Sequence, residues 1–235
     1  MIKHHPKFEL LQSFVNGELP ASLSAGITIH TDMCPACQQI VTQLTEQLSY
    51  ASFEEDSFDE FTVNKPNTVV NTEVSVEAID DFNFEQMIAS ITDSNDIDII
   101  EPKVEKNITF KKKVYALPPV LNNMVLGKTA NIGKLARARI QLDEDEIHTS
   151  LLHIEPGGSV PEHTHKGFEL TVLVEGTFSD EKGDYVAGDF IMLDKQHQHH
   201  PVSEKGCLCF TVANDSLHFT QGINKLLNPI GAFIY

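Results

Sequence analysis

Apolar residues in the first fifty positions recur at the spacing of an α-helix. Phe8, Leu11 and Phe14 mark a first helix, a second is expected over about 21–30, and a third begins near Pro35. Such a stripe is typical of residues that face a core or a partner. The pattern predicts a small all-α module at the start of the chain.

From about residue 51 the helical pattern gives way to an acidic stretch. Between Ala51 and Lys106, fifteen Asp and Glu oppose three Lys, so −12 of the net charge of −17 lies there. One further helix is predicted at about 80–91. We expect a helical domain over 1–95 with an acidic insertion at about 51–80, followed by a linker over 96–112.

After Lys113 the pattern changes to short β-rich runs separated by glycine-containing turns. Several short strands at this spacing predict an antiparallel barrel or jelly roll, which we place at 113–235. The predicted fold class is therefore two domains, one all-α and one all-β. The clearest strand runs are 150–154, 168–174, 189–193 and 207–212.

The β-rich half contains a candidate metal site. His163 and His165 are two residues apart and face the same side of a strand, and Glu169 can keep that phase. A later segment offers a further imidazole, from His197 or His199. Three imidazoles and one carboxylate suit Zn²⁺, with Fe, Mn or Ni as competing metals. The spacing G-x4-H-x-H-x3-E-x6-G, followed by a Gly- and Asp-rich block and a His, closely resembles the two cupin motifs.

The helical half contains a second candidate site, an H-x3-C-x2-C motif. His30 ends one helix, and Cys34 and Cys37 lie at the start of the next, where the helix N-terminus favours thiolate. These three residues, with His4 or His5 as a fourth, can hold zinc in a tetrahedron. The alternatives are a redox dithiol, which is expected within a βαβ unit, and a pair of core cysteines.

The composition limits location and partners. A signal peptide and an apolar run of about 18 residues are both missing from the sequence, which predicts a cytoplasmic protein without a membrane partner. The acidic charge, and only Lys3 and Lys7 as basic residues in the first fifty, argue against direct nucleic acid binding. Cys207 and Cys209 share one face of a strand and are expected to be buried and structural, with a redox-sensing pair as the alternative.

Together the two motifs resemble the ChrR-type branch of the zinc-binding anti-sigma factors, in which a helical domain is fused to a cupin-like domain. That resemblance selects His5 over His4 and His199 over His197. The ligands it implies are His5, His30, Cys34 and Cys37 for zinc, and His163, His165, Glu169 and His199 for zinc or another divalent transition metal.

The resemblance also implies a function. The helical domain would bind and sequester an extracytoplasmic-function-type sigma factor, using apolar residues such as Phe8 and Leu44. The cupin domain would sense an oxidant or a reactive small molecule and release the sigma factor, as part of an oxidative stress response. The competing function is a metal-dependent cupin enzyme, a dioxygenase or isomerase. Because the sequence offers no evident acid–base group beyond the ligands, a regulatory protein is preferred.

Overall fold

A computed structural model describes residues 1–54, 84–92, 105–144, 146–164, 167–195, 197–214 and 218–219. Met1–Glu55 and Glu105–Tyr235 form one compact unit, and Asp56–Val104 form another. None of the helices in these described ranges is both long enough and apolar enough to cross a membrane. The helices are α1 (Phe8–Val15), α2 (Ala21–Met33), α3 (Pro35–Glu54) and α4 (Phe84–Thr92).

The helix boundaries follow from local chemistry. Gly17 adopts a φ of +72° just after α1, a conformation that stops a helix at little cost. Cys34 is extended, with φ −118° and ψ 97°, because the residue before a proline is driven out of the helical region. The break at Cys34 separates α2 from α3. The three predicted N-terminal helices are therefore present, and α2 continues three residues beyond the predicted end, to Met33.

The rest of the larger unit consists of strands and a short 3-10 turn at Pro119–Leu121. Each strand run predicted from the sequence coincides with an observed strand. The strands are β1 (Asn107–Phe110), β2 (Lys113–Ala116), β3 (Val125–Leu126), β4 (Ala130–Ile132), β5 (Leu135–Gln141), β6 (His148–Ile154), β7 (Gly158–Ser159), β8 (His163–Thr164), β9 (Glu169–Asp180), β10 (Gly183–Val186), β11 (Phe190–Leu193), β12 (Gln198–His199), β13 (Val202–Ser203), β14 (Cys207–Ala213) and β15 (His218–Phe219).

The main sheet has the strand order β3-β5-β6-β14-β9-β13-β7, with β10 and β11 also paired to β9 and β4 paired to β5. A small sheet has the order β12-β8-β15, and β1 and β2 form a hairpin. All pairs among the described strands are antiparallel. A small helical region with an antiparallel, cupin-like β domain confirms the predicted fold class. The domain boundaries stay predictions; β1 begins at Asn107, within the range expected as linker.

The two faces of the main sheet bury different partners. One face lines the barrel interior, and the other packs against α2 in a single apolar cluster that joins helix and sheet residues. Gly26 of α2 makes the closest approach, since a Cβ built there would lie 2.7 Å from Leu170 and 3.4 Å from Phe210. At the N-terminal end of α2 the Ser22 amide donates to Glu144 Oε1 at 3.1 Å. The barrel thus holds α2 by its apolar face and by its N-terminus.

Candidate metal centres

Four side chains converge where α2 meets α3. One ligand atom from each of His5, His30, Cys34 and Cys37 lies within 4.8 Å of the others. His5 Nδ1 is 3.5 Å from Cys34 Sγ and 3.4 Å from Cys37 Sγ. His30 and both cysteines are buried, whereas His5 closes the cluster from the exposed side. The structure brings together all four residues of the predicted N-terminal set.

Hydrogen bonding aims the lone pair of His30 into this cluster. His30 Nδ1 donates to the Gly188 carbonyl at 2.7 Å, which places the ring proton on Nδ1. Nε2 is then a bare acceptor, and it is buried with no hydrogen-bond partner among the described residues. Burial lowers the pKa of His30 and favours the neutral ring. A neutral imidazole fixed in this way is a ready metal ligand.

The cysteines call for a cation as well. Burial and the neighbouring Cys34 raise the pKa of the Cys37 thiol to about 11. Burial therefore outweighs the helix N-terminus, which was expected to favour thiolate. Because a bound divalent cation deprotonates its thiol ligands, two sulfurs and two imidazoles within this span fit Zn²⁺.

His4 takes a different direction from His5. Its Nδ1 lies 3.4 Å from Asp189 Oδ2, and its ring centroid lies 4.8 Å from that of Tyr185. The structure therefore brings His5, and not His4, into the N-terminal cluster.

A second cluster lies inside the barrel. His163, Glu169 and His199 are buried, and their ligand atoms lie within 4.8 Å of one another. The register pairs His199 of β12 with His163 of β8, which brings the two Nε2 atoms to 2.9 Å. Glu169 Oε2 is 3.4 Å from His199 Nε2. His165 lies outside the described residues, and its place among the ligands stays a prediction.

The surroundings fix both imidazoles with their Nε2 atoms facing inward. His163 Nδ1 donates to the Pro161 carbonyl at 2.7 Å, and His199 Nδ1 lies 3.5 Å from the Asp180 carboxylate. With a proton on each Nδ1, the two Nε2 lone pairs would face each other, and a cation between or beside them would offset their repulsion. A metal ion that also binds the Glu169 carboxylate supplies that charge, so the donor set fits a divalent transition metal.

The remaining candidates belong to neither cluster, although Cys209 lines the same cavity as the barrel cluster. His197 Nδ1 is 2.7 Å from Asp194 Oδ1 and half-exposed, whereas His199 is buried. Cys207 and Cys209 are buried, with their sulfurs 4.0 Å apart. A hydrogen bond to Cys207 and complete burial hold the pKa of Cys209 well above its usual value. These features agree with the expectation of buried cysteines.

Sequence reasoning missed the residues that orient the ligands. Asp180 supports His199, and Gly188 and Asp189 contact His30 and His4. From the sequence, the segment Ala187-Gly188-Asp189 indicates only one of the glycine-containing turns between strands. A buried aspartate has no motif of its own, so these contacts could be found only in three dimensions.

The fold and the two clusters define a class of protein: a cupin-type barrel with a His/Glu cluster, joined to helices that carry a His/Cys cluster. Residues 136–216 match the family of ChrR cupin-like domains. The chain is 25% identical to the anti-sigma-E factor ChrR of Cereibacter sphaeroides, over 97% of each chain.

A solved structure extends this similarity to the fold. The crystal structure of Rhodobacter sphaeroides SigE in complex with the anti-sigma ChrR matches with a TM-score of 0.59 and 24% identity, covering 91% of this chain and 100% of the other. The resemblance to ChrR-type anti-sigma factors that the sequence indicated is thereby confirmed.

Proposed function

We propose that this protein is an anti-sigma factor that binds and sequesters an extracytoplasmic-function-type sigma factor through its helices. The similarity to ChrR extends over 97% of the chain and includes the helical half that carries the His/Cys cluster. That observation carries the proposal, because a cupin-like domain by itself occurs with many functions.

The partner surface is assigned to the sides of α1 and α3 that the larger unit leaves open. Phe8 is 55% exposed, Leu48 42%, Tyr50 70% and Phe53 78%. Exposed aromatic and aliphatic side chains of this size favour a protein interface. Leu11, which the helical pattern places on a stripe facing a core or a partner, is 1% exposed and belongs to the core.

The first metal has a structural role in this proposal. Zinc held by His5, His30, Cys34 and Cys37 ties the N-terminal arm, the end of α2 and the start of α3 together. The geometry of the partner surface then depends on the metal as well as on helix packing, because the ligands come from all three of these segments.

The second metal, held by His163, His165, Glu169 and His199, gives the barrel a sensory role. An oxidant or reactive small molecule that alters this centre would weaken the sigma complex and release the sigma factor. The signal must destabilise the sigma-bound state relative to the free protein. For a strong switch, this difference amounts to several kcal/mol. The cavity beside these ligands has a volume of about 20 Å³. It has room for about one water, so it fits an oxidant of similar size better than the organic substrate that a dioxygenase or isomerase would need.

Binding to the extracytoplasmic-function-type sigma factors of the same organism tests the proposal. In a pull-down and a titration, Leu48→Asp is expected to weaken binding at least about tenfold, because it places a charge in an apolar contact. Cys34→Ser/Cys37→Ser is expected to lose binding together with zinc.

Gln47→Asp, which adds the same charge at an exposed polar position of α3, is the matched control and should bind as the wild type does. Undiminished binding by both Leu48→Asp and the double cysteine variant would rule out the α3 surface and the zinc-dependent module.

A further inference from the structure

The turn between β10 and β11 lies directly against the N-terminal cluster. Its Gly188 carbonyl accepts the 2.7 Å hydrogen bond from His30 Nδ1. The next residue but one, Phe190, places its ring 5.7 Å from that of His30 in an edge-to-face contact. Two groups of the barrel therefore fix the position of one metal-ligand candidate.

The same turn also holds the arm that carries His5. Asp189 Oδ1 accepts the amides of Lys3 at 2.7 Å and of His4 at 3.0 Å. The Phe190 amide donates to the His4 carbonyl at 3.0 Å. The residue just before His5 is thus fixed to the barrel through both its amide and its carbonyl.

The turn is itself rigidly attached to the sheet. The Gly188 amide donates to the Leu173 carbonyl at 2.7 Å, and the Leu173 amide donates to the Asp189 carbonyl at 3.1 Å. Asp189 is fully buried, and its Oδ2 accepts the Val186 amide at 2.8 Å. Gly188 has a φ of +95°, and a Cβ there would collide with Ile2 of the arm, so this close approach depends on glycine.

We propose that the β10–β11 turn is the outer shell of the N-terminal metal site, with Asp189 as its positioning residue. Asp189 does not contact the imidazole of His5 directly. It acts by fixing the N-terminal backbone at Lys3 and His4, just before His5. The inference rests on the proposed zinc site, but it assigns part of that site to the barrel. Outer-shell groups that orient ligands contribute about 10- to 100-fold to metal affinity.

The test uses the full-length chain and two measurements on the metal. Zinc affinity is measured by competition with a chromophoric chelator, and Co²⁺ is used to record the sulfur-to-cobalt charge-transfer and d–d bands. Asp189→Ala should weaken zinc binding at the cysteine site by about 10- to 100-fold. At saturating Co²⁺ its d–d bands should shift and change in intensity per bound cobalt as His5 is replaced by water, whereas a general loss of stability would lower the amount of bound cobalt without changing the spectrum of the bound ion.

Asp184→Ala is the matched control, since it removes the same charge from an exposed position of β10. Asp189→Asn keeps one oxygen for the Lys3 and His4 amides and should fall between Asp189→Ala and the wild type. If Asp189→Ala fails to fold, the comparison uses Asp189→Asn instead. Zinc binding by Asp189→Asn that is weaker than zinc binding by Asp184→Ala supports the inference, and equal binding overturns it. Equal affinity and equal spectra of Asp189→Ala and Asp184→Ala also overturn it.

Failure of the underlying site has a different signature. If Cys34→Ser/Cys37→Ser binds as much zinc as the wild type, the cysteine site does not exist and the inference falls with it. If the double variant loses zinc while both Asp189 variants keep it, the zinc site stands and only the role of Asp189 is overturned.

Discussion

His153 shows what burial does to a histidine that belongs to neither metal cluster. It is 2% exposed, its Nδ1 lies 2.8 Å from the Tyr115 hydroxyl, and Phe110 stacks on it with ring centroids 5.7 Å apart. Burial lowers the pKa of its imidazole below the usual 6.5. The contacts of the β1–β2 hairpin with the barrel therefore include a neutral histidine.

This histidine should make stability depend on pH. Below about pH 6.5, His153 takes up a proton in the unfolded chain but stays neutral in the folded protein. The free energy of unfolding therefore falls as the pH drops, and it levels off below the folded-state pKa. His153→Gln removes this titration and should flatten the fall between about pH 7.5 and 5.5. Urea denaturation at several pH values, with excess zinc in every sample, provides the measurement. A slope as steep as that of the wild type would contradict the assignment.

At the residue scale, the sequence could identify which residue types bind metal but not every choice between neighbours. The spacing H-x3-C-x2-C and the alternation of His163 with Glu169 follow from helix and strand periodicity. His4 and His5 differ by one position, and their contacts separate them, since His5 lies beside both cysteines and His4 beside Asp189. The contact of His4 with Asp189 joins residues nearly two hundred positions apart, which local pattern cannot reveal.

At the scale of elements, α2 is the helix most dependent on the barrel. Its buried residues occupy several sides, since it packs on the sheet and on α1 and α3 at once. Its N-terminus follows Pro20, which supplies no side-chain cap, and the Glu144 carboxylate replaces that cap.

Gly26 tests how tightly α2 fits the sheet. Gly26→Val should lower the free energy of unfolding by about 1–3 kcal/mol, because its added atoms overlap Leu170 and overpack the contact. Ser24→Val, at a half-buried position of the same helix, should change stability by less than about 0.5 kcal/mol. Urea unfolding monitored by circular dichroism compares the two, and equal stabilities would argue against a tight contact at Gly26.

The elements themselves were largely predictable. Strong turn signals isolate the β runs, and β6, β9, β11 and β14 lie where alternation and β-branched residues placed them. The start of β1 at Asn107 was missed because its four residues follow an acidic stretch with no turn signal. The helix predicted at about 80–91 corresponds to α4 at Phe84–Thr92. The acidic insertion predicted at about 51–80 lies outside the described residues, except for its first four, which form the end of α3.

At the scale of the whole molecule, two clusters with different donors predict two ions of different chemistry. Elemental analysis of the purified chain should give two metal ions per chain, and Glu169→Gln should reduce this to one by removing the charged oxygen ligand of the barrel. Glu175→Gln, an exposed position on the same strand paired with Lys113 at 2.7 Å, should keep both. Two ions in Glu169→Gln would remove Glu169 from the ligand set.

The apolar cluster that α2 shares with the sheet restricts where a partner protein can bind. Ile27 and Ile29, which lie on different sides of α2, are 0% and 1% exposed, so a partner could reach these sides only by separating the helix from the barrel or from its neighbouring helices. Separating it from the barrel would also pull His30 away from Gly188. A partner that leaves the candidate metal ligands in place must therefore bind to the exposed sides of α1 and α3.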